Sequence, residues 1–252
     1  MEAGLKHPVF DPIRSWLARL PPAGWPSHEA LNALAEEAGV LTASGMPLRF
    51  VPPSSADPYY EVHVYESGCV ATRSGNWHDL FNALAWLAFP RTKAAINALH
   101  AAEIPREGKR RGRLRDMLTI FDEGGAIVVC ADPGIEALLR GFRWRELFWD
   151  CRERVLRGLR IVVLGHAVLE KSLDPWPGIA CKALFLEPDS DPDAAAAAWL
   201  HAHAKDGTPQ LLAPLPIFGY PGWIAENARA DFYADERYFR PFKRDLSRLS
   251  QT

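Results

Sequence analysis

The chain has 252 residues, 48% of them hydrophobic and 24% charged, and a chain of this length buries about three quarters of its unfolded surface without needing disulfides or a metal. Its 18 Gly and 21 Pro exclude a collagen-like or low-complexity chain. Against 29 Lys and Arg stand 31 Asp and Glu, for a net charge of −2, which excludes a globally basic nucleic-acid coat and an acidic tail.

Cys69, Cys130, Cys151 and Cys181 form no Cys-x-x-Cys pair, so neither a zinc knuckle nor a redox dithiol is expected, and isolated cysteines suit a reducing compartment. Residues 1–10 hold no apolar signal core. The longest apolar stretch, residues 80–90, is broken by Asn82 and too short to span a bilayer. A cytoplasmic protein with no membrane contact is expected.

Residues 9–39 read as a helical segment. Ile13, Trp16, Leu17 and Leu20 stand at helical spacing before Pro21 and Pro22, and Ser27 caps a second helix that ends near Gly39. The alternation of Tyr60, Val62 and Val64, followed by Gly68 and residues 69–72, predicts a β-hairpin. Asn76 opens a helix that is apolar almost all round and therefore buried, and Pro90 starts another, to about residue 102. Six basic residues crowd positions 106–115 against Glu107, predicting a basic loop. Residues 117–121 and 126–130, joined through Asp122, Glu123, Gly124 and Gly125, predict a second hairpin. After that come a long amphipathic stretch over 133–157, a strand at 161–164, a helix at 166–173, a strand at 182–186 and an Ala-rich helix over 191–204. From residue 211 a Pro- and aromatic-rich tail is expected to wrap the body in extended pieces and short helices. The class expected is α+β: residues 1–45 as a helical segment packed on one domain, 46–252, with two hairpins, a buried central helix and an extended tail. No Gly-rich phosphate loop or dinucleotide fingerprint is present, so nicotinamide and flavin cofactors are not expected.

The run Asn76-Trp77-His78-Asp79-Leu80-Phe81-Asn82-Ala83-Leu84, with Phe89-Pro90-Arg91-Thr92-Lys93, Arg115-Asp116, Gly165-His166-Ala167, Pro221-Gly222-Trp223 and Phe239-Arg240-Pro241, resembles a bacterial family of uncharacterised proteins, DUF3025. These blocks reach over about residues 59–242. The resemblance implies a self-contained bacterial domain and brings no assigned activity or catalytic residue with it.

The chemistry must be read from the residues. His78 and Asn82 stand four apart on an apolar helix, where polar groups must find partners. Asp79 sits at the third position after the Asn76 cap, where a carboxylate serves the helix start. His166 and Glu170, again four apart, have the spacing of two ligands for one divalent metal. Asp122 and Glu123 fit turn chemistry, and the 106–115 loop, with Trp144 and Trp149 near it in sequence, could neutralise phosphates and stack bases. Two readings follow. One is a hydrolase with a His/carboxylate centre, with metal assistance left open, acting on a phosphate-bearing substrate: His78, Asp79 and His166 catalytic, Arg111 and Arg115 holding phosphate, His166 and Glu170 holding metal. The other is a non-catalytic binding or accessory module, with a protein or nucleic-acid partner, in which the same residues are a buried network. Convergence of His78 and His166 on an open cleft would favour the enzyme; enclosure and bonding to backbone would favour the module.

Overall fold

A computed structural model of the protein describes residues 4–54, 59–107, 110–188 and 190–241. Its class is α+β. The N-terminal segment is a run of tight turns over Pro8–Ile13 that passes into α1, Arg14–Leu17. Pro12 removes a backbone donor from that run, so a longer α-helix does not form. Val9, Phe10 and Ile13 are nonetheless fully buried, in the same cluster as Leu80, Phe81 and Leu84. Helix α2, His28–Glu37, is capped by Ser27, whose hydroxyl accepts from the Ala30 amide at 3.2 Å.

The first expected hairpin does not form. Strand β1, Arg49–Val51, is followed by helix α3, Tyr60–Ser67, and then β2, Cys69–Ala71, which pairs parallel with β1. The connection is therefore a small β–α–β crossover. Tyr60, Val62 and Val64 look strand-like because of their residue types, but such propensities yield to packing: of the helix only Val64 is fully buried, and Gly68 closes it at φ 72°. A Cβ at Gly68 would lie 2.2 Å from the Pro47 carbonyl oxygen, so the turn needs glycine.

Helix α4, Trp77–Ala88, starts where Asn76 accepts from the Asp79 amide at 2.9 Å. Helix α5, Pro90–Glu107, starts at Pro90 and runs past residue 102. Its first free amides are capped from another helix: the Asp193 carboxylate accepts from Arg91 at 3.0 Å and Thr92 at 2.8 Å. The second expected hairpin is also replaced. Residues 113–124 are helix α6, Arg113–Gly124, and only β3, Gly125–Cys130, is strand. Leu114, Met117, Leu118 and Phe121 are all buried and repeat at three and four residues, a helical stripe that the β-branched neighbours obscured. The expected basic loop shrinks accordingly: Arg106 lies in the last turn of α5, Arg113 and Arg115 lie in α6, and Lys109 is outside the described residues.

The amphipathic stretch after β3 is broken into α7, Pro133–Arg140, a wide turn over Glu146–Asp150 and α8, Arg152–Gly158. Phe142, with φ 57°, interrupts it. Strand β4, Leu159–Val163, helix α9, His166–Lys171, strand β5, Cys181–Leu186, helix α10, Pro192–Ala202, and strand β6, Ala213–Leu215, complete the elements. The main sheet has the order β4-β3-β5-β6, with β3 antiparallel to β4 and parallel to β5. Alternate residues of β3 feed two cores. Ala126 and Val128 pack with the N-terminal segment, α4 and the tail, while Ile127 and Val129 pack with Phe121, Leu184 and Ala196. The tail beyond β6 proceeds in short turns, with Phe218, Tyr233 and Phe239 buried. Among the described residues no helix is long and apolar enough to cross a membrane.

Candidate functional site

Five helices bring their polar faces to one cavity of about 440 Å³. Helix α4 contributes His78, Asn82 and Trp86, α5 contributes Lys93, Asn97 and His100, α6 contributes Asp122, α9 contributes His166 and α3 contributes Tyr60. On α4 and α5 these residues recur at three- and four-residue spacing, so each helix turns one polar stripe inward. Gly165 sets the position of α9. A Cβ there would lie 2.6 Å from both the Glu123 carbonyl oxygen and the Gly125 amide. Only glycine lets the β4–α9 turn press on the junction of α6 and β3, which puts His166 beside Asp122.

The two histidines meet. Nε2 of His166 lies 3.1 Å from Nε2 of His78, with the rings near perpendicular at 77°. The outer nitrogen of His78, Nδ1, lies 3.0 Å from Glu170 Oε2. A carboxylate only accepts, so Nδ1 of His78 carries a hydrogen. One further proton then serves the two facing Nε2 atoms, because two would collide. In the neutral pair His166 donates to His78; when His78 takes a proton, His166 becomes the acceptor. His166 is 5% exposed, and burial pushes its imidazole down to about 4, against the opposing pull of Asp122, so it is neutral near pH 7. Its Nδ1 has no hydrogen-bond partner and stands 3.9 Å from Asp122 Oδ2. The His78 side chain is 34% exposed and faces the open side.

Behind the pair lies a buried ion pair. Lys93, 3% exposed, gives its ammonium to Asp122 and, at 2.8 Å, to Asn82 Oδ1; Asn82 in turn donates to the Tyr60 hydroxyl at 3.2 Å. Burial alone would raise the Asp122 carboxyl, but the Lys93 ammonium beside it holds it below the ordinary range.

The other expected site residues fall differently. Asp79 lines the cavity, yet its carboxylate takes the Arg73 amide and guanidinium at 2.7–2.9 Å. It serves the loop before α4 rather than its own helix start. Arg111 lines the cavity. Arg115 does not: it is 7% exposed and turned to Glu107 at 3.4 Å. His166 and Glu170 approach different nitrogens of His78, so that ring stands between them where a shared ion would sit. Among the described residues no group of three or more His, Cys, Asp and Glu side chains is arranged to hold a metal ion. Trp144 is 4% exposed and donates to the Arg240 carbonyl at 2.8 Å, so it offers no stacking face for a base. Asp122, expected in a turn, is the partner of Lys93. Lys93, Asn97 and His100 were missed, although their i, i+4, i+7 spacing on a helix is a legible polar stripe.

No curated protein and no solved structure matches the chain. One family model does, over residues 48–243, which takes in every residue of the cavity named above. The chain belongs to the family described as Protein of unknown function (DUF3025).

Proposed function

We propose that the protein is a hydrolase in which the His78–His166 pair moves protons at a small phosphate-bearing substrate bound in the cavity. The observation that carries this reading is the alignment Glu170–His78–His166, whose two histidines line the cavity. A half-exposed imidazole whose far nitrogen is held by a carboxylate is arranged as a general base, since the carboxylate fixes the tautomer and stabilises the imidazolium that forms. Water adds at phosphorus as His78 Nε2, released from its contact with His166, takes the water's proton; the bond from phosphorus to the leaving oxygen breaks, and that oxygen receives the proton from His78. Arg111 is the cation placed to hold the phosphate; Arg115 has no part in it. A metal ion does not enter this reading.

The binding-module alternative needs the histidines enclosed and bonded to backbone. Both instead bond side chains, and His78 reaches solvent. The test is hydrolysis of a panel of phosphomonoesters and phosphodiesters by the wild type and His78→Gln. Loss of a general base lowers the rate by about 10²–10⁴, with the thermal midpoint little changed because His78 is partly exposed. Equal rates in the two proteins, or no turnover of any ester, would sink the reading.

A further inference from the structure

Among the described residues five buried side-chain polar atoms have no hydrogen-bond partner: Trp86 Nε1, Asn97 Oδ1, His100 Nδ1, Arg115 Nε and His166 Nδ1. Four of the five belong to residues that line the cavity. Elsewhere among the described residues Arg115 Nε is the exception, and the other buried polar side chains have partners. Thr42, Thr72, Thr92, Ser172, Asp193 and Asn227 are each bonded. Unpaired buried groups are rare and costly, so their concentration around one cavity marks a place that a ligand completes. The larger surface depression, of about 830 Å³ near Arg157 and Arg160, has no such residue in its lining.

The polarity of the unpaired atoms says what the ligand must offer. Trp86 Nε1–H only donates. Asn97 Oδ1 only accepts, and one of its two Nδ2 hydrogens is given to the Glu61 carbonyl at 2.8 Å. Trp86, Asn97 and His100 are 2%, 5% and 3% exposed, which places them at the inner end of the cavity. Two of the cations near them are spent, Lys93 on Asp122 and Asn82 and Arg73 on Asp79, while the Glu61 side chain shares the lining. Burial also lowers the His100 imidazole, against the opposing pull of Glu61 and Asp122, which favours the uncharged ring. Ile96, Tyr60 and the Trp86 ring add apolar surface to the same lining.

We infer that the inner end of the cavity is a subsite for an uncharged cyclic amide, of the kind a nucleobase edge presents, with an acceptor facing Trp86 and a donor facing Asn97. With Arg111 taking the phosphate, the substrate class is a small phosphate ester that carries such a ring. A cavity of about 440 Å³ has room for both parts, since ligand pockets run to roughly 300–1,000 Å³. This deepens the reading of the cavity as a substrate site and does not depend on the histidine chemistry.

The test is direct binding, by calorimetric titration of the wild type, Trp86→Phe and His100→Leu with uracil, adenine and nicotinamide as amide and base probes, ribose as a polyol and inorganic phosphate. None of these carries an ester to cleave, so failure here is separate from failure of the hydrolysis assay. Saturable binding of at least one ring probe is expected, weakened fivefold or more in Trp86→Phe. The thermal midpoint of unliganded Trp86→Phe should stay level or rise, because the substitution removes a buried donor that has no partner. His100→Leu should follow the same pattern if Trp86→Phe does not fold. Binding of ribose with no ring probe bound would overturn the amide class. Binding of no organic probe, or an unchanged affinity beside a lowered midpoint in Trp86→Phe, would overturn the subsite.

Discussion

Replacing Lys93 by Met removes the cation at the centre of the site while keeping most of its volume. The Lys93 side chain is 4% exposed and that of Asp122 22%. Without the ammonium the Asp122 carboxylate is stranded, with His166 3.9 Å away and with burial opposing its charge. Asn82 also loses the donor at 2.8 Å. Removing one partner of a buried ion pair costs about 3–5 kcal/mol, most of it from the uncompensated charge left behind. For a chain of this length 1 kcal/mol moves the thermal midpoint by about 2 °C, so Lys93→Met should unfold about 6–10 °C lower at pH 7 by circular dichroism or calorimetry. Adding Asp122→Asn removes the stranded charge, and the double variant should recover at least half of the loss. A single variant within about 2 °C of wild type, or a double variant no better than the single, would refute the argument that this pair is a coupled buried unit.

The remaining expectations concern the neighbours of that pair. His166 titrates near 4 when folded against 6.5 as its ordinary value, so between those pH values the unfolded chain binds a proton that the folded one does not. Stability is then fully present above about pH 6.5 and falls as the pH is lowered toward 4, by up to about 3 kcal/mol; denaturant midpoints at stepped pH should show this slope, shallower in His166→Gln, and an equal slope in both proteins would contradict it. Gly165→Ala forces a Cβ to within 2.6 Å of backbone atoms of Glu123 and Gly125. The repacking should cost about 1–3 kcal/mol and shift the imidazole resonances of both His78 and His166 in NMR spectra. An unchanged midpoint would mean that the β4–α9 turn has slack.

Helix starts were the most legible part of the chain, because a cap is local chemistry. Ser27 and Asn76 both accept from backbone amides three residues on, and Pro90 and Pro192 both open helices. The two expected hairpins failed for a common reason. Residues 60–65 and 117–121 are short and rich in aromatic, β-branched or thioether side chains, where strand and buried helix share one vocabulary. What separates them is the neighbour each packs against: α3 lies on α5, and α6 lies between α5 and α9. The wide turn after α7 rests on a positive φ at Phe142, which no residue preference announces.

The candidate site divides in the same way. His78, Asn82 and His166 stand out in the sequence as polar residues on apolar elements, and their need for partners follows from the cost of burying them unpaired. Which partners they have is not a local property. His78 and Glu170 are 92 positions apart, His166 and His78 88, and Lys93 and Asp122 29. The sequence by itself determined the class of the fold, the starts of its helices and the presence of ionisable groups that a core does not tolerate alone. Only the tertiary structure decided that five helices turn those groups to one cavity, that Glu170 backs His78 instead of joining His166 around a metal, and that Arg115 is spent on Glu107 while Arg111 faces the cavity. The physical reason is range: capping and periodicity act within a turn or two of chain, whereas charge pairing and hydrogen bonding in a cavity depend on distances that packing alone sets.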